Sequence, residues 1–503
     1  MLSMSVCGGL IVALTTCAAA VDGTVGFSMT RRQLSQNASV ALRPLTYNNK
    51  WLPGEGGYLI DVDIGTPPQH FELLLDTGSS NLFVASAQAA PCLNYYCPGG
   101  SFNAAASTTY NLVEEPMLFN ISYADGSVVI GNYSTDVVSI GDATLTNFTF
   151  GLANQIQVSP GGGAAAAQYG IMGVSFAGQE TAACFQGYTG NVDTCEVNFT
   201  IPTMPDALYS AGFINSRSYS LYMDNVLEHK GSILFGGIDT VKFHGSLVTL
   251  ATQVAKGGAQ NGTYVGQDLQ LTSIAATSNG TTTHFSDAGY SATVTIDSGS
   301  AGIHLPDPYY SAIMSALPAK TYQGNTVIAC KYATLDANIT LGLTGADGTK
   351  VSLDLPLSQF IETDYDMSNG GYNSTAHTFD TDGEELCVLA LDLSAAPTGM
   401  TIGDPLFRSI YNVFDLDHRT ISFAPASYNT NVSNIVAIGP DGVLALNGTG
   451  SSASPAGGSI ASPNATQPVG ASGTATSSSL RSSRSGVLVC SMMMLALALW
   501  SAT

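Results

Sequence analysis

Apolar residues along this chain fall into short segments that are separated by glycine, aspartate, asparagine and proline. Within the segments, β-branched and aromatic residues dominate or alternate with polar ones, which is the pattern of β-strands. Long segments with a helical period are scarce. The pattern therefore predicts a mostly β body with strands at YLIDVDIG, FELLLDTG, ISYADGSVVIG, TLTNFTFG, SILFGGID, ATVTIDSG, MTIGDPLF and YNVFDLD.

One part of this pattern occurs twice. LLLDTGSSNLFV around Asp76 and VTIDSGSAGIHLP around Asp297 both consist of an apolar strand, an aspartate, Thr or Ser, Gly and Ser. Each copy is followed far downstream by an apolar segment that ends in glycine, YGIMG at 169–173 and MTIG at 400–403. Such a repeat predicts two similar lobes that contribute one aspartate each. An ionisable residue at the end of an apolar strand usually marks solvent or chemistry.

Both ends of the chain look like targeting segments. Residues 1–20 are apolar and close on small residues, as in a secretory signal peptide, although the usual basic start is missing. An apolar run from Val487 to Trp500 follows small residues and a polar spacer, which is the order found in GPI-anchor signals. We therefore expect residues 476–503 to be removed and residues 427–475, rich in Ser, Thr, Gly and Pro, to form a stalk without a core. A buried N-terminal helix and a retained C-terminal helix are the alternatives.

The amino-acid composition indicates that the main part of the chain is folded and acidic. Hydrophobic residues make up 45% of the 503 positions, and the length suggests two domains plus appendages. The 37 acidic residues outnumber the 15 basic ones and give a formal net charge of -22. This charge argues against nucleic acid or an anionic membrane surface as a partner and suits an acidic medium.

The cysteines and glycosylation sequons fit the secretory route. Of nine cysteines, Cys7, Cys17 and Cys490 lie in segments expected to be removed, and the order of the other six suggests the pairs Cys92–Cys97, Cys184–Cys195 and Cys330–Cys387. Six cysteines allow fifteen pairings, so other pairings stay open. Zinc binding is another possibility for close cysteines, but CLNYYC has the wrong spacing for a zinc knuckle. The N-x-S/T sequons are at Asn37, Asn120, Asn132, Asn147, Asn198, Asn261, Asn279, Asn338, Asn373, Asn431, Asn447 and Asn464.

These motifs resemble those of a known family. YLIDVDIGTPPQHFELLLDTGSSNLFV is similar to the first active-site segment of pepsin-type aspartic proteases, ISYADGS to their flap, SILFGGID to their inter-lobe strand and GDPLFRSIYNVFDLDHRTISFAPA to their C-terminal segment. The resemblance covers residues 55–425 and implies an all-β, bilobal fold with an active-site cleft between an N-terminal lobe (33–238) and a C-terminal lobe (239–426). Residues 21–32, which end in the dibasic pair Arg31-Arg32, would be a short propeptide.

The resemblance makes Asp76 and Asp297 the catalytic pair. In aspartic proteases generally, two carboxyls in contact share one proton, so one activates a water while the other protonates the peptide carbonyl, with an acid optimum. In each motif, glycine would let the loops approach without a clashing Cβ. The Thr or Ser that precedes each glycine would form a hydrogen bond to the opposite loop. The serine that follows each glycine would form a hydrogen bond to the outer carboxylate oxygen of its own aspartate. These supporting residues are Thr77, Gly78, Ser79, Ser298, Gly299 and Ser300.

The segment ISYADGS would be a hairpin flap that closes over substrate and excludes water. Tyr123 falls at the position of the flap tyrosine, and Asp125, Gly126 and Ser127 would offer polar groups to an extended peptide. A half-buried strand aromatic is the plainer interpretation of Tyr123. Many family members have a tryptophan seven residues after the first aspartate that bonds the flap tyrosine, whereas this chain has Phe83. Because phenylalanine has no donor, we expect the closed flap to be held less firmly.

Other chemistries lack their motifs. The 7 histidines form no H-E-x-x-H pair, and DSGSAG does not make a G-x-S-x-G nucleophile elbow. Asp415, Asp417 and His418 could suggest a metal site, but their alternation on a strand is read more simply as a solvated face. We expect neither a cofactor nor a metal.

The sequence thus predicts a secreted aspartic endopeptidase that hydrolyses proteins at acid pH and is held at the cell surface by a GPI anchor, similar to the yapsin-type enzymes of fungi. Expected partners are extended polypeptide substrates and, through the anchor, the membrane; nucleic acid is not expected, and the protein should be a monomer. One alternative is an inactive peptide-binding or inhibitor protein of the same fold, and another is a structural or adhesive wall protein. Retention of Asp, Gly and Ser in both motifs argues against the first, and the pairing of the motifs against the second.

Overall fold

The computed structural model describes most of the chain between residues 24 and 461. The described residues are 24–32, 57–93, 97–113, 118–123, 126–157, 169–177, 182–183, 201–254, 266–322, 324–363, 365–366, 371–372, 377–394, 399–443 and 458–461. All of them belong to the unit Met1–Ala465. The predicted signal peptide, anchor signal and Cys184–Cys195 pair lie outside the described residues.

Strands dominate the described residues, which confirms the all-β prediction. The first half contains β1 (Val25–Arg32), β2 (Gly57–Ile64), β3 (Gln69–Asp76), β4 (Leu82–Ala85), β5 (Asn111–Leu112), β6 (Leu118–Ser122), β7 (Val128–Ile140), β8 (Ala143–Gln157), β9 (Ile171–Gly173), β10 (Ala182–Ala183), β11 (Ser218–Met223), β12 (Lys230–Phe235) and β13 (Gly237–Asp239).

The second half continues the same pattern of short strands. It contains β14 (Val248–Ala251), β15 (Asp268–Ser278), β16 (Thr281–His284), β17 (Ala292–Ile296), β18 (Ile303–Leu305), β19 (Lys320–Tyr322), β20 (Asn325–Ala329), β21 (Ala337–Thr344), β22 (Lys350–Pro356), β23 (Ile361–Glu362), β24 (Tyr365–Asp366), β25 (Gly371–Tyr372), β26 (Thr378–Phe379), β27 (Glu385–Leu389), β28 (Leu391–Leu393), β29 (Thr401–Ile402), β30 (Ile410–Asp415), β31 (Thr420–Pro425), β32 (Ile435–Ala437) and β33 (Gly458–Ala461).

The helices are short. They are α1 (Ala90–Leu93), α2 (Met204–Ser210), α3 (Tyr309–Ala316) and α4 (Asp404–Ser409), with 3₁₀ turns at Ala104–Ala106, Cys330–Thr334 and Leu357–Gln359. The last helix differs from our prediction, because MTIGDPLF was expected to be a strand throughout. Proline suits the first turn of a helix, an aspartate there complements the helix dipole, and the residues of α4 are all buried.

Most of the described strands belong to two large sheets. A 15-stranded sheet contains β1 to β12 and is extended by β30, β31 and β14 from the second half of the chain. The connection is antiparallel, with Ser218 opposite Asp415 and Tyr219 opposite Phe414. A nine-stranded sheet built around β15, β17 and β21 forms most of the second lobe. The bilobal fold of the pepsin-type proteases is confirmed.

Each lobe places its aspartate with an equivalent group of three strands. In the first lobe β9 lies between β3 and β4, parallel to the former and antiparallel to the latter. In the second lobe β29 lies between β17 and β18 with the same two orientations. The two downstream segments identified in the sequence are therefore the middle strands beside the two aspartates.

Both aspartate-bearing strands rest on a packed apolar core. Leu73 and Leu75 of β3 and Val294 and Ile296 of β17 are all 0% exposed and belong to one cluster of buried side chains. Burying each such side chain contributes about 1.5–3 kcal/mol. The strands are thus anchored on one side before their chain turns at the aspartate.

Two of the suggested disulfides are present in the structure. Cys92–Cys97 closes a short loop after β4, and Cys330–Cys387 joins residues separated by 57 positions within the second lobe.

The boundary predicted for the stalk is incorrect. Residues 427–443 were expected to bury no core, yet Ile438 and Val443 are 0% and 1% exposed, and β32 pairs with β13. Asp415 is 1% exposed, and its carboxylate accepts hydrogen bonds from the His418 and Val443 N–H groups. It therefore does not belong to a solvated face. The folded body includes residues 427–443 and, because β33 pairs with β22, also residues 458–461.

Candidate active site

The two repeated motifs meet in the structure. Asp76 is the last residue of β3, and Asp297 directly follows β17. Backbone hydrogen bonds continue past each strand, because the Val174 N–H donates to the Asp76 carbonyl and the Asp297 N–H to the Ile402 carbonyl. Each aspartate is thereby held against the middle strand of its own lobe.

Thr77 and Ser298 tie the two loops to each other. Thr77 Oγ1 donates to the Ile296 carbonyl at 2.8 Å and accepts from the Ser298 N–H at 2.9 Å. Ser298 Oγ makes the mirror-image contacts, donating to the Leu75 carbonyl at 2.8 Å and accepting from the Thr77 N–H at 3.1 Å. All four bonds cross between the lobes, so neither loop can shift without moving the other.

Glycine is required where the loops approach. A Cβ added at Gly78 would lie 2.7 Å from Cγ of Asp297, and one added at Gly299 would lie 2.8 Å from Oδ1 of Asp76. Contacts this short between non-bonded atoms are repulsive, so each aspartate occupies the space that a side chain of the opposite loop would need.

Asp76 is buried and receives two hydrogen bonds from its own loop. The Gly78 N–H donates to Oδ1 at 2.7 Å, and the Ser79 hydroxyl donates to Oδ2. Burial, the charge of Asp297 and a hydrogen bond to Asp297, in that order, raise the pKa of Asp76 well above its usual range, against the opposing effect of Ser79 and Gly78. The pair therefore retains a proton under conditions in which an isolated carboxyl would be ionised.

Asp297 is half-buried and has matching donors. The Gly299 N–H donates to Oδ1 at 2.8 Å, and the Ser300 hydroxyl donates to Oδ2 at 2.7 Å. Each of the two carboxyls thus has one backbone N–H and one serine hydroxyl as donors. One protonated and one ionised carboxyl side by side can give and accept a proton in the same reaction step.

The predicted flap is a hairpin between β6 and β7. The Tyr123 N–H donates to the Ser127 carbonyl, and the Gly126 N–H donates to the Tyr123 carbonyl, both at 2.9 Å. Gly126 has a φ of 84°, which glycine adopts without strain. Asp125 lies outside the described residues. Tyr123 is half-buried at the end of β6.

Phe83 contacts this hairpin directly. Its ring is 0% exposed, with centroids 6.2 Å from the Tyr123 ring and 5.6 Å from the Phe119 ring. Aromatic pairs at such distances attract each other, but a phenyl ring offers no hydrogen bond. The contact between Phe83 and the flap tyrosine is thus made by packing alone.

Comparison with known proteins identifies the family. A protein-family model described as eukaryotic aspartyl protease matches residues 57–426. The chain belongs to this family. The protease is 32% identical over 393 residues to "Probable aspartic-type endopeptidase opsB" of Aspergillus fumigatus, covering 77% of this chain and 72% of the relative. It is 28% identical over 393 residues to "Secreted aspartic protease 4" of Candida albicans (76% and 79% covered) and 24% identical over 450 residues to "Aspartic proteinase 3" of Saccharomyces cerevisiae (76% and 72% covered).

The chain is therefore an aspartic-type endopeptidase, and its substrates are polypeptides. Secreted aspartic proteases are among its relatives. Within the part of the chain that the structure describes, no helix is both long and apolar enough to cross a membrane.

Two polar residues beside Asp297 were not anticipated. Thr401 Oγ1 lies 3.0 Å from Ser300 Oγ and 2.9 Å from His304 Nδ1. The internal repeat carried a signal for both, since His304 stands where the first copy has Phe83 and Thr401 where it has Ile171. Polar residues in one copy opposite apolar residues in the other mark a local difference in chemistry.

Tyr219 was also missed. It is 0% exposed, and its ring stacks on Phe414 with centroids 4.9 Å apart. Burial, followed by the charge of Asp76, raises its pKa well above the usual range. Tyr219 therefore stays protonated in acid and at neutral pH and contributes no charge near the aspartates there.

Proposed function

We propose that Asp76 and Asp297 are the catalytic dyad of the protease, with Asp76 protonated and Asp297 ionised before reaction. Asp297 takes a proton from the attacking water as the water oxygen bonds to the peptide carbonyl carbon, and Asp76 gives its proton to the carbonyl oxygen. In the second step Asp76 recovers a proton from the diol, Asp297 protonates the nitrogen, and the C–N bond breaks. Both carboxyls then regain their starting states. The proposal rests on the contact between the carboxyls that Gly78 and Gly299 permit.

The remaining residues of the site are proposed to support this dyad or to hold substrate. The geometry suits Thr77 and Ser298 as the connection between loops, and Ser79 and Ser300 as donors to the outer carboxylate oxygens. Tyr123, with the turn Asp125, Gly126 and Ser127, would contact an extended peptide in the cleft. Backbone groups of a hairpin suit such a ligand because an extended peptide presents its own N–H and C=O groups.

Cleavage of an unstructured protein between pH 3 and 7 by the full chain, produced through the secretory pathway, tests the dyad. Asp76→Asn and Asp297→Asn should each lower kcat by about 10²–10⁴-fold, since each removes one member of an acid–base pair. Asp287→Asn, at an exposed loop position where the change creates no N-x-S/T sequon, is the matched control. Pepstatin should inhibit the wild type.

Two outcomes would contradict the dyad assignment. Retained activity in either dyad variant would mean that another group performs the proton transfer. A correctly folded wild type that binds peptide but cleaves none at any pH would favour the inactive binding protein.

We further propose that the protease is a yapsin-like enzyme at the cell surface, held by a GPI anchor. The small residues, the polar spacer and the apolar run that ends at Trp500 support this, with a stalk now confined to residues 462–475. Treatment of intact cells with phosphatidylinositol-specific phospholipase C should release the protease into the medium. Release only by detergent would instead indicate a retained apolar C-terminal segment.

Entry into the secretory pathway would be accompanied by signal-peptide removal and N-glycosylation. Three sequon asparagines, Asn147, Asn279 and Asn431, are exposed in the structure and accessible to a glycan. Digestion with an endoglycosidase should lower the apparent mass of the secreted protein. Mass spectrometry of the glycopeptides would show which sequons are occupied.

Release of residues 21–32 as a propeptide is also proposed, on the basis of the pair Arg31-Arg32. These arginines lie at the end of β1, which pairs with β12 on one side and β2 on the other. Cleavage after Arg32 would therefore cut the chain at the end of an internal strand. N-terminal sequencing of the secreted protease tests this directly: a start at Gln33 supports the proposal, and a start at or before Val25 contradicts it.

A further inference from the structure

Two fully buried polar side chains lie close to the aspartate pair and complete no hydrogen bond of normal geometry. Tyr219 and Gln267 are both 0% exposed. Among the residues that the structure describes, no group is in hydrogen-bond position for the Tyr219 hydroxyl or for the amide oxygen and nitrogen of Gln267. Polar atoms at this depth almost always have a partner, because an unpaired one costs free energy on folding. The three atoms therefore mark a place where a polar ligand binds.

The two side chains are neighbours. Burial and then the charge of Asp76 raise the pKa of Tyr219, and the Gln267 side chain, which lies beside the hydroxyl, opposes them. The hydroxyl and the amide nevertheless do not reach each other with the length and angle of a hydrogen bond. Two polar groups that face each other without a direct bond are often bridged by a water molecule.

Backbone contacts place both residues where the two halves of the chain meet. Tyr219 is in β11, opposite Phe414 of β30, where the second half of the chain joins the first sheet. Gln267 directly precedes β15, and its carbonyl accepts a hydrogen bond from the N–H of Ile296, one residue before Asp297. The pair therefore lies close to both aspartate motifs.

The hydrogen-bonding capacity of the pair suits one water molecule. A tyrosine hydroxyl donates one hydrogen bond and also accepts, and a glutamine side chain offers an amide donor and a carbonyl acceptor. A direct bond between the two side chains would leave one end of the amide unpaired. A water molecule both donates and accepts, and a buried water typically forms about three hydrogen bonds to such groups. Neither side chain carries a charge, which argues against an ion in this place.

We propose that Tyr219 and Gln267 bind an ordered water molecule that connects the two halves of the protease close to the dyad. The hydroxyl of Tyr219 and the amide of Gln267 are its partners. This bridge adds to the direct connection that Thr77 and Ser298 make between the loops. The water site does not depend on the catalytic roles proposed for the aspartates.

A high-resolution crystal structure of the secreted protease tests the site directly. We expect an electron-density peak about 2.7–3.0 Å from Tyr219 Oη and from an amide atom of Gln267. The peak should be lost in crystals of Tyr219→Phe, which keeps the ring but lacks the hydroxyl. A direct hydrogen bond between Tyr219 and Gln267, with no density between them, would overturn the proposal.

Thermal unfolding measures whether the hydroxyl and the amide are paired. Tyr219→Phe and Gln267→Met should each lower Tm by about 1–3 °C, because each leaves the remaining side chain and the water with a partner missing. The double variant should lose less than the sum of the two single losses, since it removes the whole polar site. A higher Tm in Tyr219→Phe, or losses that simply add, would contradict a shared water.

Tyr411→Phe is the matched control. Tyr411 is 1% exposed, and its hydroxyl accepts from the Asp239 N–H at 2.8 Å and donates to Ser220 Oγ at 2.7 Å. Its removal shows what the loss of a fully paired tyrosine hydroxyl costs. We expect a decrease in Tm similar to that of Tyr219→Phe, with the density peak beside Tyr219 unchanged. A decrease in Tyr411→Phe together with an increase in Tyr219→Phe would show that the Tyr219 hydroxyl binds no water.

Discussion

The two aspartate loops have the same hydrogen-bond donors to their carboxyls, but the residues on the strands beside the loops differ. Both have a glycine N–H and a serine hydroxyl as carboxylate donors, and both exchange backbone contacts through Thr77 or Ser298. Beyond the serines, the first lobe continues with the apolar pair of Phe83 and Ile171, and the second with the polar pair of His304 and Thr401. The donors to the two carboxyls are therefore the same in both lobes, whereas the residues beside these loops differ in polarity.

The largest expected effect on activity comes from filling the space between the two aspartate loops. Gly78→Ala and Gly299→Ala should each lower kcat by about 10²-fold or more, because the added methyl displaces the opposite carboxyl and small misplacements are that costly. Gly439→Ala, where a Cβ meets nothing within 4 Å, should have wild-type kcat. Full activity in one of the two loop variants would show that the loops are not equivalent.

The apolar pair of the first lobe should matter for stability more than the polar pair does. Phe83→Ala removes a ring that is 0% exposed and should lower the free energy of unfolding by about 3–5 kcal/mol. His304→Ala, at a half-buried position, should cost about 1 kcal/mol. Denaturant unfolding of both variants measures the difference. If both variants lost the same free energy of unfolding, Phe83 would contribute no more to packing than His304 does.

The lobes also differ in the loops that their disulfides close. Replacing both cysteines of Cys330–Cys387 by alanine should lower the free energy of unfolding by about 4 kcal/mol, and the same change at Cys92–Cys97 by about 2 kcal/mol. The longer loop loses more chain entropy when it is closed, since the sequence separations are 57 and 5. The melting temperatures of the two variants, compared at one pH, check the order.

The smallest expected effect concerns Asp392, beside His304. Burial, the largest cause, raises its pKa to about 6, so the folded state holds this proton more tightly than the unfolded state does. Its contribution to stability is complete below the ordinary carboxyl pKa and is lost as the pH rises through about 6. Asp392→Asn would create the sequon N-L-S, so it is made in a Ser394→Ala background and compared with Ser394→Ala alone. It should raise the free energy of unfolding by about 1–2 kcal/mol at pH 7 and change it little at pH 4.

Unfolding of Asp392→Asn at both pH values is the measurement. A variant less stable than Ser394→Ala alone at pH 7 would mean that attraction to His304 outweighs the burial of the charge. That result would strengthen the contrast between the polar pair of the second lobe and the apolar pair of the first.

Much of the centre of the site could be predicted from the sequence. Asp76, Gly78 and Ser79 are consecutive or nearly so, and the bonds among them form within one turn. The short segments of β-branched, apolar and aromatic residues likewise predicted strands such as β2 and β3. Turns and strands of this kind depend on neighbouring residues, so they can be predicted without knowledge of the fold.

Other features could not be predicted from local patterns. Residues 427–443 contain apolar residues such as Ile435 and Val436, but the composition of residues 427–475 as a whole predicts no core. In the structure, Ile438 and Val443 fill a site that β30 and β13 create. The α4 segment has the apolar content of a strand, but its proline and its complete burial select a helix. Composition does not reveal which surface a segment will contact, and that contact decides whether the segment folds.

The sequence by itself determined the two lobes, the two aspartates and the turn that follows each of them, because strands and tight turns depend on neighbouring residues. Only the tertiary structure decided that the carboxyls of Asp76 and Asp297 form a hydrogen bond. It also decided that Thr401 contacts both Ser300 and His304, which lie 101 and 97 positions before it in the chain. Burial and hydrogen bonds between distant residues arise only when the chain brings them together. These long-range contacts set the electrostatics of the site.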